Sequence, residues 1–277
     1  MSLRLFPLGL AACPFVFCSW AAAAAAGELI IAASPSVAVP LEALARAYEA
    51  GHPQTHVRLY FDRALDLRRT IAAAQQDGRH FIGTGDISLV APGDDELLDR
   101  LEQKYYVLPG SRRVYAVNHL VLVVPESLVE APDSLESLVA DGRTRLAVAD
   151  PRDTEMGRRT RDLLEGVDVA DKLNNRIDVA ADARGVIDHV LNGQADVGIV
   201  SGADAARERE RVRVAAVASG DRPAPKTHAI AMERYCPDRA EAEAFLRFIQ
   251  TEPARAAIRQ VGYGVPSQGR SSDRDAP

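Results

Sequence analysis

Residues 182–204, DARGVIDHVLNGQADVGIVSGAD, decide how this chain folds. Val186, Ile187, Val190 and Leu191 recur at i, i+1, i+4 and i+5, which is one face of a helix. Asn192-Gly193 supplies a stop, because glycine tolerates the left-handed conformation that closes a helix. Val197-Gly198-Ile199-Val200 is then a short apolar run suited to a strand covered on both faces. In open α/β sheets ligands sit beyond the carboxyl ends of such strands. Ser201 and Gly202 therefore fall where a binding site belongs. Taken alone, the segment is equally consistent with one more α/β unit of no special role.

The same alternation extends in both directions. Residues 28–33 (ELIIAA) read as a buried strand, and Ser34-Pro35-Ser36 offers N-cap chemistry for a helix through Leu41, Leu44, Ala45 and Tyr48. Strands are expected at 57–61 and 86–90, and helices at about 65–74 and 94–101. This β-α-β-α-β order implies parallel strands with helices on both faces. A second set follows. It has the apolar strand 120–124 (LVLVV), entered from the polar run Ser111-Arg112-Arg113, then strand 146–148, helix 157–164 and strand 177–180. The opening helix–strand pair comes next, followed by strands 212–217 and 227–232. Two helices, 240–249 and 253–261, precede a Ser/Arg/Asp-rich tail, 267–277, expected to be disordered. Two α/β blocks predict two lobes, and pockets favour such interfaces.

Residues 1–26 have the layout of a secretory signal: Arg4, an apolar run from Leu5 to Trp20, and an alanine tract ending at Ala26. Pro7, Pro14 and a length at the short limit of the ~20 residues a spanning helix needs weigh against a membrane span. Leu10-Ala11-Ala12-Cys13 also resembles a lipoprotein box, which would acylate Cys13. The expectation is an exported, periplasmic chain cleaved near Ala26, with lipidation at Cys13 as the alternative. Past the leader only Cys236 remains, so no intrachain disulfide can form, and a chain of this size can bury enough core without one.

Composition excludes several classes. The net charge is −6 with both signs mixed along the chain, so no basic stripe marks a nucleic-acid partner. Only 5% of residues are aromatic, which argues against a cleft lined with rings. No G-x-S-x-G elbow, H-E-x-x-H helix, Walker loop or C-x-x-C pair is present. Gly83-Thr84-Gly85 lacks a third glycine and precedes a strand instead of following one. His52 and His56 share an i,i+4 spacing, but across a loop containing Pro53, so they read as solvated loop histidines. The expectation is a binding protein with no catalytic residues, no metal and no cofactor.

Several segments, in order, resemble one family. They are IAASPSVAVPLEALARAYEAGHP, FDRALDLRRTI, GDISLVAPGDDELLDRLE, RRVYAVNHLVLVVP, ADPRDTEMGRRTRDLL, DARGVIDHVLNGQADVGIVSGADA, THAIAM and AEAFLRFIQTEPARAAIRQVGYGVP. Over residues 28–266 the chain resembles the periplasmic solute-binding proteins of molybdate ABC transporters. That likeness implies an α/β type II periplasmic-binding-protein fold. Each of its two lobes would be a mixed, mostly parallel sheet flanked by helices, with a cleft between them. Residues 28–117 plus 230–266 would form lobe 1 and residues 118–229 lobe 2, hinged near 118–120 and 227–230. It also implies a tetrahedral oxyanion held by neutral donors at helix N-termini, where orphan N–H groups and the positive helix end favour anions.

Carried across by motif, the family's contacts fall on Ser34, on the loop Asp62-Arg63-Ala64, on Met156 in the turn Glu155-Met156-Gly157, on Ala183 in Asp182-Ala183-Arg184, and on Ser201. This chain departs from the pattern in two places. A hydroxyl is absent from residues 62–64, where Arg63 offers a bidentate anion donor instead, and Ser201 stands where the family has a tyrosine. The expected ligand-binding set is Ser34, Arg63, Ala64, Met156, Ala183 and Ser201. The expected partners are a small-molecule or oxyanion ligand and an inner-membrane permease, with the protein a monomer. Two alternatives stay open: a retuned pocket for an organic or apolar solute, and an exported accessory protein that binds a protein partner.

Overall fold

The computed structural model describes residues 27–61, 87–93, 95–128, 130–218 and 225–266. The first part runs β1 (Gly27–Ala33), a 3-10 turn (Pro35–Val37), α1 (Ala38–Gly51), β2 (Thr55–Phe61), β3 (Leu89–Ala91), α2 (Asp95–Gln103) and β4 (Arg113–Asn118). The middle part runs β5 (Leu120–Pro125), α3 (Leu135–Asp141), β6 (Leu146–Ala149), α4 (Glu155–Gly166), α5 (Ala170–Leu173), β7 (Ile177–Ala180) and α6 (Ala183–Leu191). It continues with β8 (Val197–Ser201), α7 (Gly202–Arg207) and β9 (Val212–Val217). The last part is β10 (Lys226–Met232), α8 (Arg239–Phe248) and α9 (Glu252–Gln260).

These strands form two sheets, and the molecule is a two-lobed α/β protein. The first sheet has the order β2-β1-β3-β10-β4 and the second β7-β6-β8-β5-β9. Both are mixed. In each, two pairings are parallel (β1 with β2 and β3; β6 with β7 and β8), and the two others are antiparallel. Each sheet buries both faces. Leu29, Ile31, Tyr48, Phe245 and Ile258 pack on one side of the first, and Ile30, Val90, Leu98 and Leu101 on the other. Leu122, Leu163 and Ile199 cover one side of the second, and Val121, Val186, Val190 and Val200 the opposite side. The alternation of β5 between these two clusters explains why LVLVV is apolar throughout.

Four elements were not legible in the sequence, the short α7 (Gly202–Arg207) among them. β4 has only Tyr115, Ala116 and Val117 buried, too few to stand out. Its polar approach has a structural use, because Arg112 reaches α2 at Asp95 (2.6 Å) and Asp99 (2.5 Å). α3 buries only Leu135 and Leu138, but a capping box of Ser134 with Ser137 and a left-handed Gly142 fix its ends. α5 is a single turn. β3 begins three residues later than the sequence reading, at Leu89. The helix expected at 65–74, the leader and the tail lie outside the described residues.

The motif Gly262-Tyr263-Gly264 has a clear steric cause. Gly262 has φ 83, and a Cβ there would sit 2.2 Å from the Gly202 carbonyl oxygen. A Cβ on Gly264 would lie 2.6 Å from His119 Nε2. Gly264 also exchanges both backbone hydrogen bonds with Val117 (2.7 and 2.8 Å). The end of the chain is thus clamped onto the segment where β4 passes into β5 and from one sheet to the other.

Candidate functional site

The carboxyl ends of the parallel strands carry the candidate residues. In the second sheet, neighbouring strands β7, β6 and β8 lead into α6, α4 and α7. Asp182, Thr154 and Ser201 cap these helices with their side-chain oxygens. The three helix starts therefore rise from one edge of one sheet, which brings Met156, Ala183 and Ser201 to that edge. Ser34 stands at the corresponding end of β1 in the first sheet. Arg63 and Ala64, with Asp62, lie outside the described residues.

Thr154 Oγ1 accepts from the Gly157 N–H at 2.9 Å and donates to the Asp150 carbonyl at 2.9 Å. Asp182 Oδ1 accepts from the Gly185 N–H at 2.9 Å. In both helices the cap uses the third N–H of the first turn. Those of Glu155 and Met156, and of Ala183 and Arg184, have no acceptor among the described residues. Such orphan donors at a positive helix end are what an anion needs. α4 begins at Glu155, two residues before the sequence reading, because Thr154 takes the cap.

The two serines differ. Ser34 is buried, its N–H bonds the Ala91 carbonyl at 3.1 Å, and its Oγ lies 3.0 Å from Ser36 Oγ. That pair shares one hydroxyl proton, so one O–H remains free to donate outward. Gly93, with φ 74, closes over the pair, and a Cβ there would meet Ser36 Oγ at 2.6 Å. Ser201, by contrast, donates its only proton to Asp204 Oδ2 at 2.6 Å and accepts from the Asp204 N–H at 3.2 Å. Its hydroxyl is occupied with capping α7.

Neighbouring charges are mostly neutralised in place. Arg152 holds Asp150 through Nη2 at 2.6 Å and Nε at 3.0 Å, and these bonds pull the carboxyl down to about 2. Glu155 pairs with Lys226 Nζ at 2.8 and 3.1 Å, which keeps it ionised. Burial, reinforced by Lys226, pushes the His228 imidazole down to about 4, and burial also lowers His119. Met156 and Ala183 are half-buried against the second sheet's clusters. Among the described residues no cluster of His, Cys, Asp and Glu could hold a metal ion.

Sequence reasoning missed Thr154, Asp150, Arg159, Lys226 and His228. The cap was signalled by threonine just ahead of an expected helix. Asp150 is held locally by Arg152, whereas Arg159, Lys226 and His228 come together only through β4 and β10, which no spacing reveals. A separate groove of about 480 Å3 lies between α7, β9 and the end of α9, lined by His119, Val214, Arg259 and Tyr263 among others. Ser34, Met156, Ala183 and Ser201 do not line it.

The family model for bacterial extracellular solute-binding proteins matches residues 29–264. The chain belongs to that family. This solute-binding protein is 25% identical to the molybdate-binding protein ModA of Haemophilus influenzae over 88% of the chain and 92% of the relative. With ModA of Escherichia coli it shares 23% over 74% and 80%. Among solved structures, the substrate-binding domain of a candidate molybdenum ABC transporter from Clostridium difficile superimposes with a TM-score of 0.73 at 18% identity, covering 87% of this chain and 99% of that one. The Azotobacter vinelandii periplasmic molybdate-binding protein gives 0.55 at 21%, covering 87% and 100%. These likenesses bear out the family and the two-lobed fold expected from the sequence, and the relatives are binding proteins, not enzymes. No described helix is long and apolar enough to cross a membrane.

Proposed function

We propose that this protein captures a small oxyanion, of the molybdate or tungstate type, in a cleft between its lobes outside the cytoplasm, and hands it to a membrane transporter. The observation that carries this reading is the row of unpaired N–H groups at the starts of α4 and α6, on one sheet edge, with a spare serine hydroxyl at the end of β1. Neutral, preorganised donors of this kind hold an anion without burying a countercharge. The ModA relatives, named for molybdate binding, point to the same ligand. The lobes would be residues 28–117 plus 230–266 and residues 118–229, closing about the residues near 118–120 and 227–230. Ser34, Met156 and Ala183 supply the contacts, joined by Arg63 and Ala64 as the family resemblance implies; Ser201 acts by positioning α7.

Thermal unfolding with sodium molybdate, tungstate and sulfate tests the reading. A bound anion raises the midpoint according to RT ln(1 + [L]/Kd). A concentration-dependent rise with at least one of the three is expected. No rise with any of them, alongside a rise with an organic solute, would overturn it.

A further inference from the structure

α4 does more than present its first turn. Arg159, one turn in from Met156, runs to the junction between the sheets, where its Nη2 donates to the Asn118 carbonyl at 3.4 Å. Among the described residues that is its one side-chain hydrogen bond, and it is a long one. A guanidinium has five N–H donors, and this one is half-buried, enough for burial to lower its pKa. Glu155, the acid whose field reaches it, is committed to Lys226 at 2.8 Å. The field of Arg159 reaches both His119 and His228. Each imidazole is held toward its neutral form, so neither competes as a cation. In the same region Asn118 Oδ1 and His228 Nδ1 are buried with no hydrogen-bond partner among the described residues. A half-buried cation with idle donors, beside unsatisfied polar atoms, is costly unless something else completes it. His228 also touches the Gly93 backbone, and Gly93 closes over Ser34 and Ser36. The cation therefore belongs to the same neighbourhood as the serine pair.

We propose that Arg159 is a ligand-contacting residue of the interlobe site, a charged donor that selects divalent anions over monovalent ones of the same shape. This deepens the functional reading above and rests on it. Neutral helix N-termini attract any anion, whereas a guanidinium in a semi-dry site favours the second negative charge.

Titration calorimetry with sodium molybdate and sodium perchlorate, on the wild type, Arg159→Gln and Arg159→Lys, decides the matter. Arg159→Gln should weaken molybdate binding by about tenfold or more and narrow the preference for molybdate over perchlorate. Arg159→Lys should recover part of both, since it keeps the charge and loses the fork. Unfolding midpoints without ligand control for folding, and if Arg159→Gln does not fold, the Arg159→Lys comparison stands in its place. Affinity within twofold of wild type and an unchanged preference would overturn this inference alone. A wild type that binds none of molybdate, tungstate, sulfate and perchlorate would overturn the oxyanion reading together with it.

Discussion

Glu155 and Lys226 form an ion pair that ties α4, beside the second sheet, to β10 of the first, with Nζ 2.8 and 3.1 Å from the two carboxylate oxygens. Glu155 opens α4, and Lys226 opens β10. The acid that the sequence placed beside the site is therefore not a free charge facing a ligand. Its side chain is 59% exposed and that of lysine 35%, so water screens the attraction. Lys226→Ala should lower unfolding free energy by no more than about 1 kcal/mol, measured by urea titration. It should, however, free Glu155 to repel an anion, weakening molybdate binding. A loss well above 1 kcal/mol would show the pair to be a structural clamp.

Ser34→Ala removes one member of the hydroxyl pair. Ser36 then keeps its proton, but the position at the end of β1 loses its donor. Hydrogen bonds to charged acceptors contribute about 1.5–3 kcal/mol, so molybdate affinity should fall roughly tenfold or more. Ser201→Ala should instead lower stability by about 1 kcal/mol through the lost cap and shift affinity less. Equal affinity losses in calorimetry would contradict this division of labour.

His228 makes stability depend on pH. The unfolded imidazole takes up its proton near 6.5 and the folded one only near 4. Between those values the unfolded chain binds more protons, so stability is full above about 6.5 and declines as pH falls toward 4. Each pKa unit is worth about 1.4 kcal/mol, so this group's loss is on the order of 3 kcal/mol. His228→Asn should flatten that part of the profile in urea unfolding at pH 7, 5.5 and 4.5. An unchanged slope would remove His228 as its source.

Gly157→Ala tests the start of α4. The added Cβ would lie 2.4 Å from the Asp150 carbonyl oxygen and 2.5 Å from that of Ala149, both backbone atoms that cannot turn aside. A loss of roughly 2–4 kcal/mol is expected, with weaker anion binding as α4 shifts. Gly142→Ala, at φ 69 with open space around it, should cost only about 1–2 kcal/mol and leave binding alone. Thermal midpoints of the two variants, read together, separate crowding from backbone strain.

Cys236 is buried, donates to the Asp238 carbonyl at 3.3 Å, and is pushed up to about 11 by burial. The thiolate is the reactive species, so modification by iodoacetamide at pH 8 should be far slower than for free cysteine, and rise sharply in urea. Fast labelling of the native protein would show that this corner opens.

Local pattern was enough for whatever depends on neighbours along the chain. The 3.6-residue stripe of Val186, Ile187 and Val190, the cap at Ser34, and the apolar runs of β5 and β8 needed only their own sequence to be read. Binding-site positions at strand ends followed from the α/β alternation. The state of each side chain there was decided elsewhere. Ser34 and Ser201 look alike in sequence, yet one belongs to a hydroxyl pair with a spare proton and the other spends its own on Asp204. Glu155 meets Lys226 at a sequence separation of 71, and Arg159 meets Asn118 at 41. Those partnerships exist because β10 returns to the first sheet beside β4, so the electrostatics of the site were set by tertiary structure, while its place on the fold was set by sequence.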